Sequence, residues 1–226
     1  MANNEILNIT KEYDKIKKIL PLIPRNRKLT ILDVGCGYGY WAFILRIWCH
    51  PEPYIVGVDI YEPPIRKMKK MGLYDELFNI DILHYDSDKI FDIVIMGEII
   101  EHLEKEDGYT LLEKMESMCR GKLIITTPNG YVPAGVGKDF VNPSAIHLSG
   151  WTEKNFQDLG YSTTLYSKTG KLTRSIALLD DIRRRLFRLP SAYGIIAEKG
   201  ELADEEIMKA EDEILTTIIP ETVVHA

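Results

Sequence analysis

The sequence predicts an α/β fold, a mostly parallel sheet with helices on both faces. Three observations carry that prediction. From Leu29 onward, short runs rich in Val and Ile alternate with stretches of helical periodicity, the pattern of strands joined by helical crossovers. The first run, Ile31-Leu32-Asp33-Val34, feeds directly into Gly35-Cys36-Gly37-Tyr38-Gly39 and then into an apolar helix from Trp41 to Trp48. A second run ends in an acid, Asp59, 20 residues after Gly39. In open sheets of this kind, ligands sit outside the carboxyl ends of the strands. These two strand exits are where a site is expected.

Residues 5 to 20 open the chain as an amphipathic helix, with Ile6, Ile9, Tyr13, Ile16, Ile19 and Leu20 at helical spacing. Lys11, Lys15, Lys17 and Lys18 fall mostly on its outer side, and Pro21 and Pro24 end it. The expectation is a helical cap over 1–28 that covers the sheet, with a lid over a ligand as the alternative. Leu29–Val34 reads as the first strand, Gly39–Cys49 as the first helix and Tyr54–Asp59 as the second strand. Pro63 and Pro64 open the next helix, through Met71, because the first turn of a helix has no partner for the missing N–H groups. Leu77–Ile82 reads as the third strand and its exit, and Phe91–Met96 as a fourth, buried on both faces.

On a helix after that fourth strand, Glu98, Glu101 and His102 would share one face at i, i+3 and i+4. A further helix is predicted over Asp107–Cys119 and a fifth strand over Lys122–Thr127. The irregular stretch 128–150 holds three glycines and two prolines between Gly130 and Pro143. It is long enough to be functional rather than a mere connection, and is expected to form a mobile wall of a pocket. Thr152 can cap a helix running to Gly160, followed by strands over Tyr161–Tyr166 and Tyr193–Glu198. Between those strands an insertion (167–190) carries Ile176, Leu179, Ile182, Leu186 and Leu189 as a helical stripe. Arg183, Arg184, Arg185 and Arg188 flank it, as a solvated face or as a cap for an anionic acceptor group.

The glycine turn carries the chemistry. Glycine is required where φ is positive or where a ligand must approach bare backbone, and the free N–H groups of the following helix face the turn. Tyr40 follows Gly39, so the pattern is G-x-G-x-G and lacks the spacing of a dinucleotide fingerprint. Asp33, two places before Gly35, would repel a pyrophosphate and suits a cationic group such as the amino-acid end of S-adenosylmethionine. Both features speak against a nicotinamide oxidoreductase. The phosphate loop of a nucleotide triphosphatase is missing. Asp59 is placed to accept from ribose hydroxyls.

Composition sets the outer bounds. A length of 226 residues gives one main domain, and 45% hydrophobic with 27% charged content allows a sizeable core. No apolar run approaches a membrane span, and Met1 to Glu5 show neither region of a signal peptide. Cys36, Cys49 and Cys119 have no metal spacing, so a reducing, cytoplasmic setting is expected. Residues 201–226 hold eight acids against Lys209, a net −7, which leaves about +1 of the overall −6 on the rest. This tail, with Ile207, Ala210, Ile214 and Ile218 at helical spacing, reads as an acidic helix docked on the surface or on a second subunit, which leaves a homodimer open. The arginines lack aromatic interleaving, and nucleic acid is disfavoured.

Five motifs in order give the chain a resemblance: Leu32–Gly39, Gly57-Val58-Asp59, Phe91-Asp92-Ile93-Val94, Glu98-Ile99-Ile100-Glu101-His102-Leu103 and Thr127-Pro128-Asn129-Gly130. Together they resemble the class I S-adenosylmethionine-dependent methyltransferases over most of 29–198, and stand-alone microbial members in particular. The resemblance implies a Rossmann-like domain over 29–200 with a seven-stranded sheet ending in an antiparallel strand. It implies donor binding by Asp33, Gly35, Cys36, Gly37, Gly39, Asp59, Ile60, Asp81, Ile82, Gly97 and Glu98. There Asp81 accepts from the adenine amino group and Ile82 packs on the ring. Glu98, Glu101, His102 and His147 are then the clustered candidates for chemistry at the acceptor. Either one of them (His147 or Glu98) is a general base, or the four hold a divalent ion that lowers the pKa of an acceptor hydroxyl. The metal arrangement is similar to that of 2′-O-methyltransferases acting on small-RNA ends, and Glu-x-x-Glu-His also to ubiquinone-pathway O-methyltransferases. Glu-His-Leu occurs equally in metal-independent members. These residues favour O-methylation of a small-molecule or glycan-like acceptor with S-adenosylmethionine, a divalent metal being open but not favoured. Its rivals are a metal-dependent RNA 2′-O-methyltransferase and a non-catalytic S-adenosylmethionine-binding module.

Overall fold

The structure, a computed structural model, describes residues 14–134, 142–167 and 193–202. The helices expected over the insertion with its four arginines, over the acidic stretch beyond Leu202 and over residues 5–13 fall outside the described residues.

Seven strands form one sheet in the order β3-β2-β1-β4-β5-β7-β6. They are β1 (Thr30–Val34), β2 (Tyr54–Asp59), β3 (Glu76–Asn79), β4 (Phe91–Gly97), β5 (Cys119–Pro128), β6 (Ser162–Ser167) and β7 (Tyr193–Lys199). The pairs from β3 through β5 are parallel. The last strand, β7, lies between β5 and β6 and runs antiparallel to both. The chain lays down β1, β2 and β3 outward and then crosses to β4 on the other side of β1. The carboxyl ends of β1 and β4 therefore flank the switch point, where this architecture leaves a crevice.

Alternation along the strands sorts the core into two layers. Ile31, Ile55, Ile93, Ile95, Ile124 and Ile196 point to one face. There they meet Ile19 of α1 (14–19) and Trp41, Ala42 and Leu45 of α2 (Tyr40–Trp48). Leu32, Val34, Val56, Val58, Val94, Met96, Leu123 and Ile125 point to the other face, under Leu111, Leu112 and Met115 of α4 (Lys105–Met118) and under Trp151. Each such side chain contributes about 1.5–3 kcal/mol on burial. The remaining helices, α3 (Glu62–Met71) and α5 (Glu153–Asp158), follow β2 and precede β6. Thr152 caps α5 through a reciprocal box with Asn155, as its position suggests.

Three local expectations are corrected. The predicted helix over 98–102 does not form. Glu98 N–H donates to Thr126 O (2.9 Å), extending the sheet ladder by one residue, and Glu98 then takes a φ of 58° that no right-handed helix accommodates. A single 3₁₀ turn, Ile100–His102, follows. The third strand ends at Asn79, and residues 81–85 form a turn in which Asp81 O accepts from His84 and Tyr85 N–H. Lys15 is not on the outer side of its helix; it is 5% exposed.

Candidate active site

The glycine-turn end of the site is built from backbone. β1 delivers Gly35 with φ 66°, and its N–H and that of Cys36 donate to Val58 O of the neighbouring strand. Ile99 Cδ1 sits so close to Gly35 that an added Cβ would lie 1.8 Å from it, so the turn and the β4 exit pack with no room for a side chain. At Gly39, the N-cap of α2, φ is 75° and a Cβ would meet Met68 Sδ at 2.7 Å. Asp59 ties the turn together: Oδ2 accepts from Gly37 N–H (2.8 Å) and Oδ1 from Tyr61 N–H (2.7 Å). Each carboxylate oxygen keeps a second lone pair for a ligand hydroxyl.

A cavity of about 500 Å³ opens at this point. Of the residues expected to bind the donor, Gly35, Asp59, Ile60, Asp81 and Ile82 line it. Of the residues expected at the acceptor, His102 lines it. Ile80 joins the donor side, while Ile99, Leu103, Ile146 and Leu148 make an apolar wall around His102. Ile146 and Leu148 are 41% and 48% exposed, apolar surface left open at the mouth.

The other expected residues fall elsewhere. Gly37 and Gly39 shape the turn without lining the cavity, and Gly97 packs on Trp41, where a Cβ would lie 2.6 Å from Nε1. Cys36 is buried, which pushes its thiol up and away from the reactive thiolate. Asp33 is 1% exposed and accepts from Tyr74 Oη at 2.7 Å, so it lies beneath the turn and not in the cavity. Burial pushes its carboxyl up to about 7, with the Tyr74 hydrogen bond pulling the other way and the Asp59 charge adding to the rise.

Glu98 parts from Glu101 and His102 because the helix is missing. Glu98 turns toward β6 and α1: Tyr166 Oη donates to its Oε1 at 2.6 Å, and Lys15 Nζ lies 3.9 Å away. Lys15 also sits over the rings of Tyr40 and Tyr166. Its place at i−4 from Ile19 is the signal that it faces inward. Glu101, 2% exposed, accepts from Thr127 Oγ1 at 2.9 Å. His102 Nδ1 faces Ile146 O (3.1 Å) and His147 Nδ1 faces Val132 O (2.5 Å), so each ring donates from Nδ1 and leaves Nε2 as acceptor. The two rings meet edge to face at 4.8 Å. Burial lowers the His102 pKa, with the His147 ring acting in the same direction and the Ile146 hydrogen bond and Glu98 opposing, which keeps the imidazole neutral at neutral pH. One ligand atom each from Glu101, His102 and His147 lie within 4.8 Å of one another. Tyr74, Lys15, Ile80 and Ile146 were not singled out as site residues from sequence.

A glycine turn at a switch-point crevice, flanked by strand-end acids, defines a nucleoside-binding α/β domain. A family model described as a methyltransferase domain matches residues 8–167, and the chain belongs to that family. It is 29% identical over 183 residues to a ubiquinone biosynthesis O-methyltransferase of Rickettsia conorii, covering 79% of this chain and 59% of the relative. The corresponding protein of Rickettsia felis is 30% identical over 180 residues, covering 78% and 64%. The chain thus matches less than two thirds of the length of these relatives. Among solved structures, a SAM-dependent methyltransferase from Archaeoglobus fulgidus shares the fold, with a TM-score of 0.55, 22% identity, and 84% of this chain and 93% of that chain covered. The plantazolicin methyltransferase BpumL, in complex with SAH, superposes with a TM-score of 0.53 at 15% identity, covering 88% and 84%. No helix among the described residues is long and apolar enough to cross a membrane.

Proposed function

We propose that the chain transfers a methyl group from S-adenosylmethionine to a hydroxyl of a small, largely apolar acceptor. One observation carries the reading: a single cavity runs from Asp59, Asp81 and Ile82 to His102 between the apolar side chains of Ile99, Leu103, Ile146 and Leu148. The bound donor supplies an electrophilic methyl carbon, activated by the adjacent sulfonium. Asp59 accepts from the ribose hydroxyls and Asp81 from the adenine amino group, while Ile60 and Ile82 pack on the base. Gly35 leaves the backbone bare beside the methionyl part. His102, neutral and with Nε2 as acceptor, takes the proton of the acceptor hydroxyl as the new C–O bond forms and the C–S bond breaks. The sulfonium leaves as a neutral thioether. The oxygen preference is supported by the named activity of the Rickettsia relatives.

The geometry favours a small acceptor over RNA, because the side chains of Ile99, Leu103, Ile146 and Leu148 around His102 offer a phosphodiester no hydrogen-bond donor or positive charge. The apolar wall likewise suits an aromatic or aliphatic body better than a glycan. Calorimetric titration with S-adenosylhomocysteine tests the donor site. Saturable binding that is lost in Asp59→Ala is the expected outcome, and no binding to the unaltered protein overturns the reading.

A second reading is favoured by the convergence of Glu101, His102 and His147. Two imidazoles and a carboxylate suit a divalent ion, and Nδ1–H donation to backbone carbonyls is how ligand histidines are usually oriented. Such an ion would lower the pKa of an acceptor hydroxyl in place of a base. Titrating metal-stripped protein with Mn²⁺ or Mg²⁺ separates the two readings. Heat of binding that disappears in His102→Ala supports the ion, and none in the unaltered protein leaves His102 as the base.

A further inference from the structure

The wall opposite the donor is irregular chain, yet it meets the 3₁₀ turn of Glu101 and His102 at several points. Leu148 and Ser149 N–H both donate to Glu101 O, at 2.8 and 3.1 Å. Trp151 Nε1 donates to Ile100 O (3.2 Å) and to Ser149 Oγ (3.0 Å). Trp151 is fully buried, and its ring lies against α4 so tightly that a Cβ on Gly108 would be 2.5 Å from Cζ2. One charged group closes this arrangement. Lys105 Nζ donates to Gly150 O at 2.9 Å and sits 3.2 Å from the centroid of the Trp151 ring, with Asn155 Oδ1 at 3.3 Å.

We propose that Lys105 is a positioning residue for the acceptor wall: its ammonium clamps Gly150 and Trp151, and so holds Ile146, His147 and Leu148 against the turn that carries Glu101 and His102. Its location argues for this. Lys105 is the first residue of α4, where the helix dipole disfavours a cation. Burial adds a second cost, lowering its pKa to about 8. No ion pair among the described residues involves Lys105 to offset either. What offsets them is the carbonyl of Gly150 and the π-face of Trp151, which attracts a cation held over it. Every partner of the ammonium except the Tyr109 ring (5.6 Å) belongs to the returning wall or to α5 just behind it. The donor turn touches none of it.

Naming this wall after the acceptor rests on the function proposed above, whereas the clamp stands on geometry alone. Backbone hydrogen exchange therefore tests it without an acceptor. In Lys105→Met the Leu148 and Ser149 amides are expected to exchange at least tenfold faster than in the unaltered protein. The Gly37 amide and the affinity for S-adenosylhomocysteine should stay within twofold, and Lys105→Arg should restore the slow exchange. With 4-nitrocatechol as acceptor probe, Lys105→Met is expected to raise KM by about tenfold while changing kcat less. Unchanged exchange at Leu148 and Ser149 overturns the proposal, as does faster exchange that extends equally to Gly37. Should Lys105→Met not fold, Lys105→Gln, which keeps a donor but no charge, carries the same comparison. Loss of S-adenosylhomocysteine binding in the unaltered protein would instead strike the function and leave the clamp standing.

Discussion

The two halves of the cavity are built by different means. The half proposed for the donor is made by strand ends and tight turns whose partners are sheet neighbours: Gly35 N–H on Val58 O, Gly37 N–H on Asp59, Tyr61 N–H on Asp59. The half proposed for the acceptor is made by one irregular segment folded back on a 3₁₀ turn, through contacts such as His102 to Ile146 and Trp151 to Ile100 that span more than 40 residues of chain. A nucleoside is the same ligand in every enzyme that uses it, so fixed backbone and a few acids suffice. An acceptor pocket has to be shaped separately, and a loop pinned at a few points can be reshaped without disturbing the sheet.

Substitutions sharpen this contrast, because each half should fail alone. His102→Ala is expected to lower kcat about 10²- to 10⁴-fold, the usual reach of a lost acid–base group, with S-adenosylhomocysteine affinity changed little. Steady-state kinetics beside calorimetry checks it, and a parallel loss of donor affinity would merge the two halves. Asp59→Ala should weaken S-adenosylhomocysteine roughly a hundredfold, since two charge-assisted hydrogen bonds to hydroxyls are lost together. The amides of Leu148 and Ser149 should be unmoved. Gly108→Ala works from the opposite side. It gains about 1 kcal/mol of helix propensity but drives a Cβ into Trp151, and the expected net loss is about 1–3 kcal/mol. Urea unfolding reads that loss, and donor affinity in the folded fraction should be intact.

The same contrast separates what was legible in the sequence from what was not. The parallel order and the glycine turn follow from apolar runs alternating with helices, from glycines and from strand-end acids, all local signals, whereas the antiparallel last strand is implied by the resemblance alone. Glu98–His102 misled because i, i+3, i+4 spacing assumes a helix. The ladder bond that carries Glu98 past the end of β4 is made to Thr126 of β5, a neighbour 28 residues away, and Glu98 itself then turns at a positive φ. The wall residues Ile146 and Leu148 carry no signal in an irregular segment, and Lys105 looks like any helix-surface lysine until Trp151 lies beneath it. The place of Asp33 before the turn suggests a carboxylate that meets a cationic ligand end. Strand alternation instead puts it on the α2 side with Ile31, where Tyr74 reaches it.

Asp33 offers the finest test of the comparison, since it belongs to the donor half yet does not touch the cavity. Its carboxyl is raised to about 7 in the folded protein, against about 3.9 in an unfolded chain. Between those values the native state binds the proton and the unfolded state does not. Stability therefore falls as pH rises from about 4 to about 7, by up to about 1.4 kcal/mol per pH unit from this group. The contribution is complete below the lower value and gone above the upper one. Asp33→Asn keeps an oxygen acceptor for the Tyr74 hydroxyl and carries no charge, so it should remove that slope. The variant should gain stability relative to the unaltered protein as the pH is raised from 5 to 8, and thermal unfolding at each pH unit measures the difference. S-adenosylhomocysteine affinity should change by no more than a few-fold, because Tyr74 and not the donor is the partner. Parallel stability curves with a large loss of affinity would mean the opposite: an ionised Asp33 that reaches the donor ammonium through the turn, and a donor half whose acid works on the ligand as its place in the sequence first implied.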